Sequence, residues 1–267
     1  LLKKHNISLG SVILLEGDFS PKGVSFLIAL IQKKCIIIPI SSQLDDKTKS
    51  DYEIISKPNY IIHIDHGDNV VIKKMSNNNL EPHRMYTQLR SRSKPGLVLF
   101  SSGSTGKCKA AVHDFSFLLE KFKVPRHKLC TISFLLYDHI GGINTLLYTL
   151  SNTGCMVTLQ DRSPEKVLSS IQKYKVELLP TSPTFLNLVL ISEAHMRYDI
   201  SSLKTISYGT EPMPKSTLSS FNKLYPNIRL LQTYGLSEVG ILRSKSKSSS
   251  SLWMKIGGED FKTRVVD

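Results

Sequence analysis

Residues 101–109 read SSGSTGKCK and directly follow a short apolar run that ends at Phe100. The stretch contains two glycines, four small hydroxyl residues and two lysines. A strand that runs into such a turn presents backbone N–H groups and hydroxyls to an anion, and the lysines neutralise its charge. The composition of this loop therefore predicts a binding site for a polyphosphate.

The loop differs from the Walker A sequence G-x-x-x-x-G-K-[ST] at two positions. Ser101 stands where the first glycine is required, and Cys108 replaces the hydroxyl residue that binds Mg²⁺. A P-loop NTPase of that kind is excluded. Taken alone, the loop could also be a flexible glycine-serine connection.

Three further segments contain residues that could bind a ligand or take part in a reaction. They are YDHIGG at 137–142, SYGTEPMP at 207–214 and QTYGLSEVG at 232–240. Each residue has a structural alternative when it is considered by itself. Glu238 could be a capping or surface acid, Tyr234 a core aromatic, and His139 a buried imidazole with local hydrogen bonds.

The elements that position these segments follow an alternating pattern of β-branched apolar runs and longer amphipathic stretches, which predicts α/β layers with a mostly parallel sheet. The predicted strands are 11–15, 35–40, 60–64, 129–134, 155–159, 176–179 and 205–208. The predicted helices are 21–33, 114–122, 142–150, 164–174, 183–192 and 215–224. We expect two lobes, residues 1–128 and 129–267, and a mobile surface loop at the serine-rich segment 244–251.

Composition narrows the class of protein. The net charge is +13, but the lysines are spread along the chain with no basic helix, so a solvated basic surface is favoured over a nucleic-acid interface. The longest apolar runs are too short for a membrane span, and no apolar leader is evident, so we expect a cytoplasmic protein. The four cysteines form no CxxC pair, which indicates reduced thiols and no cysteine zinc site.

The four segments, in this order and at these spacings, resemble the adenylate-forming superfamily, which includes acyl- and aryl-CoA ligases, nonribosomal-peptide adenylation domains and luciferases. The resemblance covers nearly the whole chain. It implies two consecutive α/β lobes with mostly parallel sheets flanked by helices, as in the large domain of AMP-forming acyl-CoA ligases. It also implies activation of a fatty or aryl acid by ATP and Mg²⁺ to an acyl-adenylate with release of pyrophosphate, and then thioester formation with CoA or the phosphopantetheine of an acyl-carrier protein.

The resemblance assigns roles to individual residues, with Lys109 and Glu238 as the catalytic pair. The phosphate-loop residues are Ser101, Ser102, Gly103, Ser104, Thr105, Gly106 and Lys109, and Cys108 replaces the usual proline. The other nucleotide-binding residues are Gly209, Thr210, Glu211, Pro212, Thr233, Tyr234, Gly235 and Ser237. The acid-substrate residues are His139, Gly141 and Tyr208, and the Mg²⁺ ligands are Glu238 and Thr105.

Several points stay open at the level of sequence. The ribose-binding aspartate, the hinge and the lysine of a small C-terminal lobe have no assignable counterparts, so we expect this stretch alone to be weakly active or inactive. A non-catalytic nucleotide-binding remnant is the alternative. A fatty or aryl acid is favoured over an amino acid because no aspartate is evident for an α-amino group, although Asp138 could take that role. Thr181 is interpreted first as a helix cap.

Overall fold

The computed structural model describes residues 1–76, 83–102, 108–257, 263 and 264. The chain divides into two compact units. The first unit contains Leu1–Lys123 and Leu136–Ile140, and the second contains Val124–Leu135 and the chain from Gly141 onward.

The first unit is built on a six-stranded sheet with the order β4-β3-β1-β2-β5-β6. Its strands are β1 (Val12–Gly17), β2 (Ile36–Ser41), β3 (Tyr60–Ile64), β4 (Val70–Lys74), β5 (Gly96–Ser102) and β6 (Cys108–Asp114). The four central strands are parallel, and the two edge strands, β4 and β6, are antiparallel to their neighbours. Strands β1 and β2 are buried along nearly their whole length, as expected for parallel strands covered on both faces.

Helices connect the strands of this unit: α1 (Pro21–Gln32), α2 (Asp46–Ser56), α3 (Arg84–Ser91) and α4 (Phe115–Glu120). Local signals fix where they start. The Ser20 hydroxyl accepts the Gly23 amide at 3.0 Å and Pro21 is the first residue of α1, so this helix begins with a side-chain cap and a proline. Asp45 caps α2 in the same way by accepting the Thr48 amide at 2.9 Å.

The second unit is built on a five-stranded, all-parallel sheet with the order β11-β10-β9-β7-β8. The strands are β7 (Cys130–Ile132), β8 (Cys155–Val157), β9 (Leu178–Thr181), β10 (Thr205–Tyr208) and β11 (Arg229–Gln232). The helices are α5 (Ile140–Ser151), α6 (Pro164–Tyr174), α7 (Pro183–Ile191) and α8 (Lys215–Leu224). Two short hairpins follow: β12 (Tyr234–Leu236) with β13 (Gly240–Leu242), and β14 (Ser244–Ser246) with β15 (Met254–Ile256).

Each unit has a hydrophobic core of its own. In the first unit Leu14, Ile38 and Val98 of the central strands pack in one buried cluster with Leu89 of α3. In the second unit Ile206 of β10 packs in a cluster with apolar residues of α6, α7 and α8. Among the described residues, no helix is long and apolar enough to cross a membrane.

The predicted fold class is confirmed: both main sheets are mostly parallel and are flanked by helices. Elements with strong local signals match the prediction at both ends, namely β3, β10, α6 and α8. Sequence reasoning missed α2, whose polar residues obscure the helical period, and edge strand β4, in which three of the five residues are exposed.

The prediction of a mobile loop at 244–251 is wrong for its first three residues. Ser244–Ser246 form strand β14, which pairs with β15, and the Ser244 hydroxyl donates to the Gln232 carbonyl at 3.0 Å. Backbone pairing requires no apolar side chain, so the serine-rich composition did not reveal this strand.

Candidate functional site

The ends of the predicted phosphate loop are held by the β5–β6 hairpin of the first unit. In this antiparallel pair Ser101 lies opposite Lys109, and Ser102 lies opposite Cys108. Lys109 is exposed. The predicted loop residues Gly103, Ser104, Thr105 and Gly106 lie outside the described residues. The loop follows the carboxyl end of β5, which is parallel to β2, and this edge of an α/β sheet is where ligands bind.

An aromatic pair supports the hairpin next to the loop. The ring of Tyr52, on α2, stacks on Phe100 with 3.7 Å between centroids and 6° between planes. Burial, with Cys108, Asp138 and Asp45 nearby, raises the pKa of Tyr52. The stack therefore fixes the residue that immediately precedes Ser101.

The segment Leu136–Ile140 is anchored in the first unit by Tyr137. This side chain is buried, donates a hydrogen bond to the Gly23 carbonyl at 3.3 Å and meets the Phe19 ring edge to face at a centroid distance of 5.2 Å. Burial raises the pKa of the Tyr137 hydroxyl, so the group acts as a neutral donor. Tyr137 thus sets the position of the two polar residues that follow it.

Asp138 and His139 occupy different environments. Asp138 is partly buried, and its Oδ2 accepts the Ser41 amide at the carboxyl end of β2 at 3.3 Å. Burial, with a contribution from Asp18, raises the pKa of Asp138. His139 remains exposed on one side, but protein around the ring lowers its pKa by desolvation against the opposing effect of Asp138. The imidazole is therefore mainly neutral at pH 7.

Three strands of the second unit end in register. Tyr208, the last residue of β10, lies opposite Thr181 of β9 and Gln232 of β11. The predicted segments 207–214 and 232–240 therefore leave the sheet side by side at its carboxyl edge. They are joined by Thr233, whose amide and hydroxyl both donate to the Tyr208 carbonyl, at 2.7 and 3.0 Å.

Gly209 allows this close approach. A Cβ atom at this position would lie 2.6 Å from Thr233 Oγ1 and 2.8 Å from the Thr233 carbonyl oxygen, distances that real Cβ atoms do not show. The next residue, Thr210, has φ of +73°, which is unusual for a β-branched residue. The exposed side chains of Thr210 and Pro212 therefore follow a tightly constrained backbone.

Glu211 connects this segment to α7. Its Oε1 accepts the Thr184 amide at 2.7 Å, and hydrogen bonding from the Thr184 side chain, together with that from the amide, lowers the pKa of Glu211. Ser182 is the N-cap of the same helix, since its hydroxyl accepts the Phe185 amide at 3.2 Å. Glu211 therefore acts structurally as a second cap, in addition to the nucleotide-binding role that the resemblance implies for it.

The interpretation of Thr181 as a helix cap is wrong. Helix α7 begins at Pro183, so the cap is the residue directly before it, and Thr181 is the final residue of β9. Its hydroxyl is buried and, like Gln232 Oε1 in the same register, has no hydrogen-bond partner among the described residues. Sequence reasoning did not place these two residues together, since only the strand register brings both to the edge that carries Tyr208.

Tyr234, one of the predicted nucleotide-binding residues, begins the β12–β13 hairpin. The residue is 37% exposed, so part of it is open to solvent. Gly235 packs directly on Ile241, leaving no room for a side chain. Ser237, which is partly buried, and Glu238, which is exposed, lie in the turn of the hairpin. Tyr208, predicted to contact the acid, is buried in the core of the second unit, and Gly141 lies in the first turn of α5.

The described residues include one donor suited to Mg²⁺. In the described part of the chain, no three His, Cys, Asp or Glu residues cluster as a metal cage. Mg²⁺ usually binds through one or two carboxylates together with phosphate oxygens and water. The exposed carboxylate of Glu238 fits such an ion. Thr105, the other predicted ligand, is outside the described residues.

Comparison with known proteins identifies the family of the chain. The profile of the AMP-binding enzyme family matches residues 10–254. The 4-coumarate–CoA ligase-like 9 protein of Arabidopsis thaliana is 28% identical over 158 residues, which is 55% of this chain and 28% of that protein. Acyl-CoA synthetase 7 of Caenorhabditis elegans is 29% identical over 193 residues, covering 63% of this chain and 35% of that protein. The chain thus spans about a third of these relatives.

Solved structures share the fold. The luciferase-like enzyme of the nonluminescent mealworm Zophobas morio superposes with a TM-score of 0.70 at 20% identity, covering 90% of this chain and 63% of that chain. The N-terminal subdomain of Klebsiella oxytoca NpsA in complex with 3-hydroxyanthranilyl-AMSN gives a TM-score of 0.70 at 15% identity, covering 90% and 64%. Because the family profile covers most of the sequence, the chain belongs to the AMP-binding enzyme family.

Proposed function

We propose that the protein uses ATP to activate a fatty or aryl carboxylic acid as its acyl-adenylate and then forms a thioester with CoA or a carrier-bound phosphopantetheine. The observation that carries the proposal is the arrangement at the carboxyl edge of the second sheet. There Gly209 packs on Thr233, so that the exposed Thr210–Pro212 segment and the exposed ring of Tyr234 belong to adjacent segments. An edge of this kind is suited to bind a nucleotide.

The reaction requires charge stabilisation more than a covalent nucleophile. An oxygen of the acid forms a bond to the α-phosphorus, and the bond from that phosphorus to the β-phosphate bridging oxygen breaks as pyrophosphate leaves. Both reactants are anions, so fixed donors and cations lower the barrier. We assign the pyrophosphate to the loop that includes Lys109, and we assign to Glu238 the binding of Mg²⁺, which would neutralise phosphate charge.

Two residues of the YDHIGG segment, Asp138 and His139, favour a fatty or aryl acid. The Oδ2 atom of Asp138 accepts the Ser41 amide at 3.3 Å, so this carboxylate has a structural partner within its own unit. His139 is mainly neutral at pH 7, so it would contribute shape and hydrogen bonding. No general base is needed, because a carboxylic acid is ionised at that pH. The CoA-ligase relatives are consistent with this class of acid.

The proposal can be tested on two levels with one set of proteins. Calorimetry with ATP and Mg²⁺ measures nucleotide binding, and acid-dependent exchange of labelled pyrophosphate into ATP measures adenylation across a panel of fatty, aryl and amino acids. We expect Lys109→Ala to weaken ATP binding about tenfold, because a charge-assisted hydrogen bond is lost. Stability should change by less than about 0.5 kcal/mol, since the side chain is exposed.

Lys73→Ala is the matched control. Lys73 is an exposed lysine on β4, the edge strand at the opposite side of the same sheet. If Lys109→Ala behaves like this control, the loop does not bind the phosphates. Binding without exchange for any acid would favour a nucleotide-binding protein that lacks the chemistry. Absence of ATP binding at millimolar concentration would contradict both functions.

A further inference from the structure

Two cysteines that are distant in sequence lie directly opposite each other in the second sheet. Cys130 is the first residue of β7 and Cys155 the first residue of β8, and the two are partners in the parallel pairing of these strands. Paired residues on adjacent strands project from the same face and lie about 4.8 Å apart. A disulfide requires Cα atoms between roughly 4.4 and 6.8 Å apart, so the pairing brings the two residues into the range for a bond.

The surroundings of the two thiols differ, and this difference favours a thiol–disulfide exchange in two steps. Cys155 is exposed, and β8 is an edge strand of the sheet. Cys130 is partly buried, and its Sγ donates to the Tyr174 carbonyl at 3.6 Å. Burial, the Cys155 thiol within hydrogen-bonding reach, and Glu177 raise the pKa of Cys130 to about 11. Cys155 is therefore the more accessible of the two cysteines to reagents.

We propose that Cys130 and Cys155 form a dithiol site that low-molecular-weight disulfides, such as glutathione disulfide, convert into a cross-strand disulfide. In the first step the Cys155 thiolate attacks the small disulfide, forms a mixed disulfide and releases one small thiol. In the second step the Cys130 thiolate attacks the sulfur of Cys155 and releases the second small thiol. The protein loses two hydrogens and two electrons, and the small disulfide is reduced to two thiols.

The order of these steps follows from access and proximity. Cys155 is exposed whereas Cys130 is partly buried, so a bulky disulfide reaches Cys155 more readily. Once Cys155 is in the mixed disulfide, it no longer opposes ionisation of Cys130, and Cys130 attacks as an intramolecular neighbour at high effective concentration. The resulting bond would tie the edge strand β8 to β7 and close the chain around α5.

The test uses the reduced protein and glutathione disulfide. Thiol titration of the unfolded product should show a fall from the four cysteines of the chain to two, reversible by dithiothreitol. Peptide mapping should identify one crosslink, between Cys130 and Cys155. Cys130→Ser should stop at the first step and keep one glutathione on Cys155, whereas Cys155→Ser should form no crosslink and take up far less glutathione at Cys130.

Cys108→Ser is the matched control, because Cys108 is a partly exposed cysteine of the first unit, and this variant should still form the crosslink. A bivalent arsenical, which bridges two close thiols, should bind the unmodified protein once and protect both cysteines; this measurement needs no variant at Cys130. A lasting glutathione adduct on Cys155, crosslinked dimers, or independent labelling of the two thiols in the unmodified protein would overturn the proposal.

Discussion

At the scale of single residues, Tyr137 and His139 lie two positions apart but have different roles. Tyr137 is buried, and its hydroxyl bonds to the Gly23 carbonyl, so its role is to anchor the segment. His139, two positions later, is exposed on one side and has a lowered pKa. A rigid anchor beside an accessible neutral ring is a suitable arrangement for selecting a substrate by shape, which is the role predicted for His139.

Substitutions of His139 test this role. We expect His139→Phe to keep measurable adenylation but to change the relative rates among acids by about tenfold, the size of effect that a modest change of pocket shape produces. His139→Asp should impair acid binding through like-charge repulsion. The measurement is acid-dependent pyrophosphate exchange across the same panel of acids.

His127→Asp provides the control for an added surface charge, because His127 is exposed and lies outside the motif. An acid profile that is the same for the unmodified protein and for both His139 variants would return His139 to the alternative role of a histidine with local hydrogen bonds only.

At the scale of elements, the carboxyl edge of the second sheet is organised by backbone contacts. Thr181, Tyr208 and Gln232 end their strands in register, and Thr233 bonds twice to the Tyr208 carbonyl. The absence of a side chain at Gly209 makes this contact possible. The geometry of the predicted nucleotide site therefore depends on one glycine as much as on its polar side chains.

Gly209→Ala should disturb both stability and binding. The added Cβ would overlap Thr233, whose backbone cannot move without breaking its bond to Tyr208, so we expect a loss of about 1–3 kcal/mol in the free energy of unfolding. ATP binding should weaken as well. Urea unfolding and calorimetry measure the two effects.

Gly17→Ala is the corresponding control in the first unit. A Cβ at Gly17 would lie 3.4 Å from Ile64 Cβ, which is an ordinary van der Waals contact. This variant should stay within about 0.5–1 kcal/mol of the unmodified protein. Equal losses for the two alanine variants would show that the contact with Thr233 is not the constraint.

At the scale of the whole molecule, the chain carries a net charge of +13, so basic groups outnumber the acidic groups with which they can pair. Glu16, at the end of β1, bonds to Lys49 at 2.7 Å and to His63 at 3.0 Å, with only 13% of its side chain exposed. Burial acts to raise the pKa of Glu16, but the bonds to Lys49 and His63 outweigh it, and the net pKa is lowered. Folding therefore stabilises the ionised carboxylate.

The sign of the pH dependence follows. The contribution of Glu16 is fully present above its unfolded pKa of about 4.3 and is lost as the pH falls through the lower folded value. We expect Glu16→Gln to cost about 1–3 kcal/mol at pH 7, the worth of hydrogen bonds to a charged group. The difference from the unmodified protein should shrink in urea unfolding experiments below about pH 4.

Asp46→Asn serves as the control, since Asp46 is an exposed carboxylate on α2 and its loss should have a small effect at either pH. A difference between Glu16→Gln and the unmodified protein that persists unchanged into acid would show that the effect of the substitution comes from packing and not from the charge of Glu16.

By itself the sequence determined the elements whose signals are local. Pro164 and Pro183 begin helices where the pattern predicts them, and the β-branched run Tyr60–Ile64 is a strand. A helix forms hydrogen bonds over a few residues, so its caps and its period are readable from a short stretch. The four ordered motifs likewise indicate the family from sequence alone, because each motif is a contiguous run.

Only the tertiary structure decided which distant residues meet. Asp138 accepts the amide of Ser41, which is 97 positions away, and Thr181 shares an edge with Gln232, although the sequence suggested a helix cap. The spacing of the cysteines gave no sign that Cys130 lies opposite Cys155. The physical reason is the same in each case: strands pair through backbone groups that every residue carries, so their order and register depend on how whole layers pack and are not written in any short stretch of sequence.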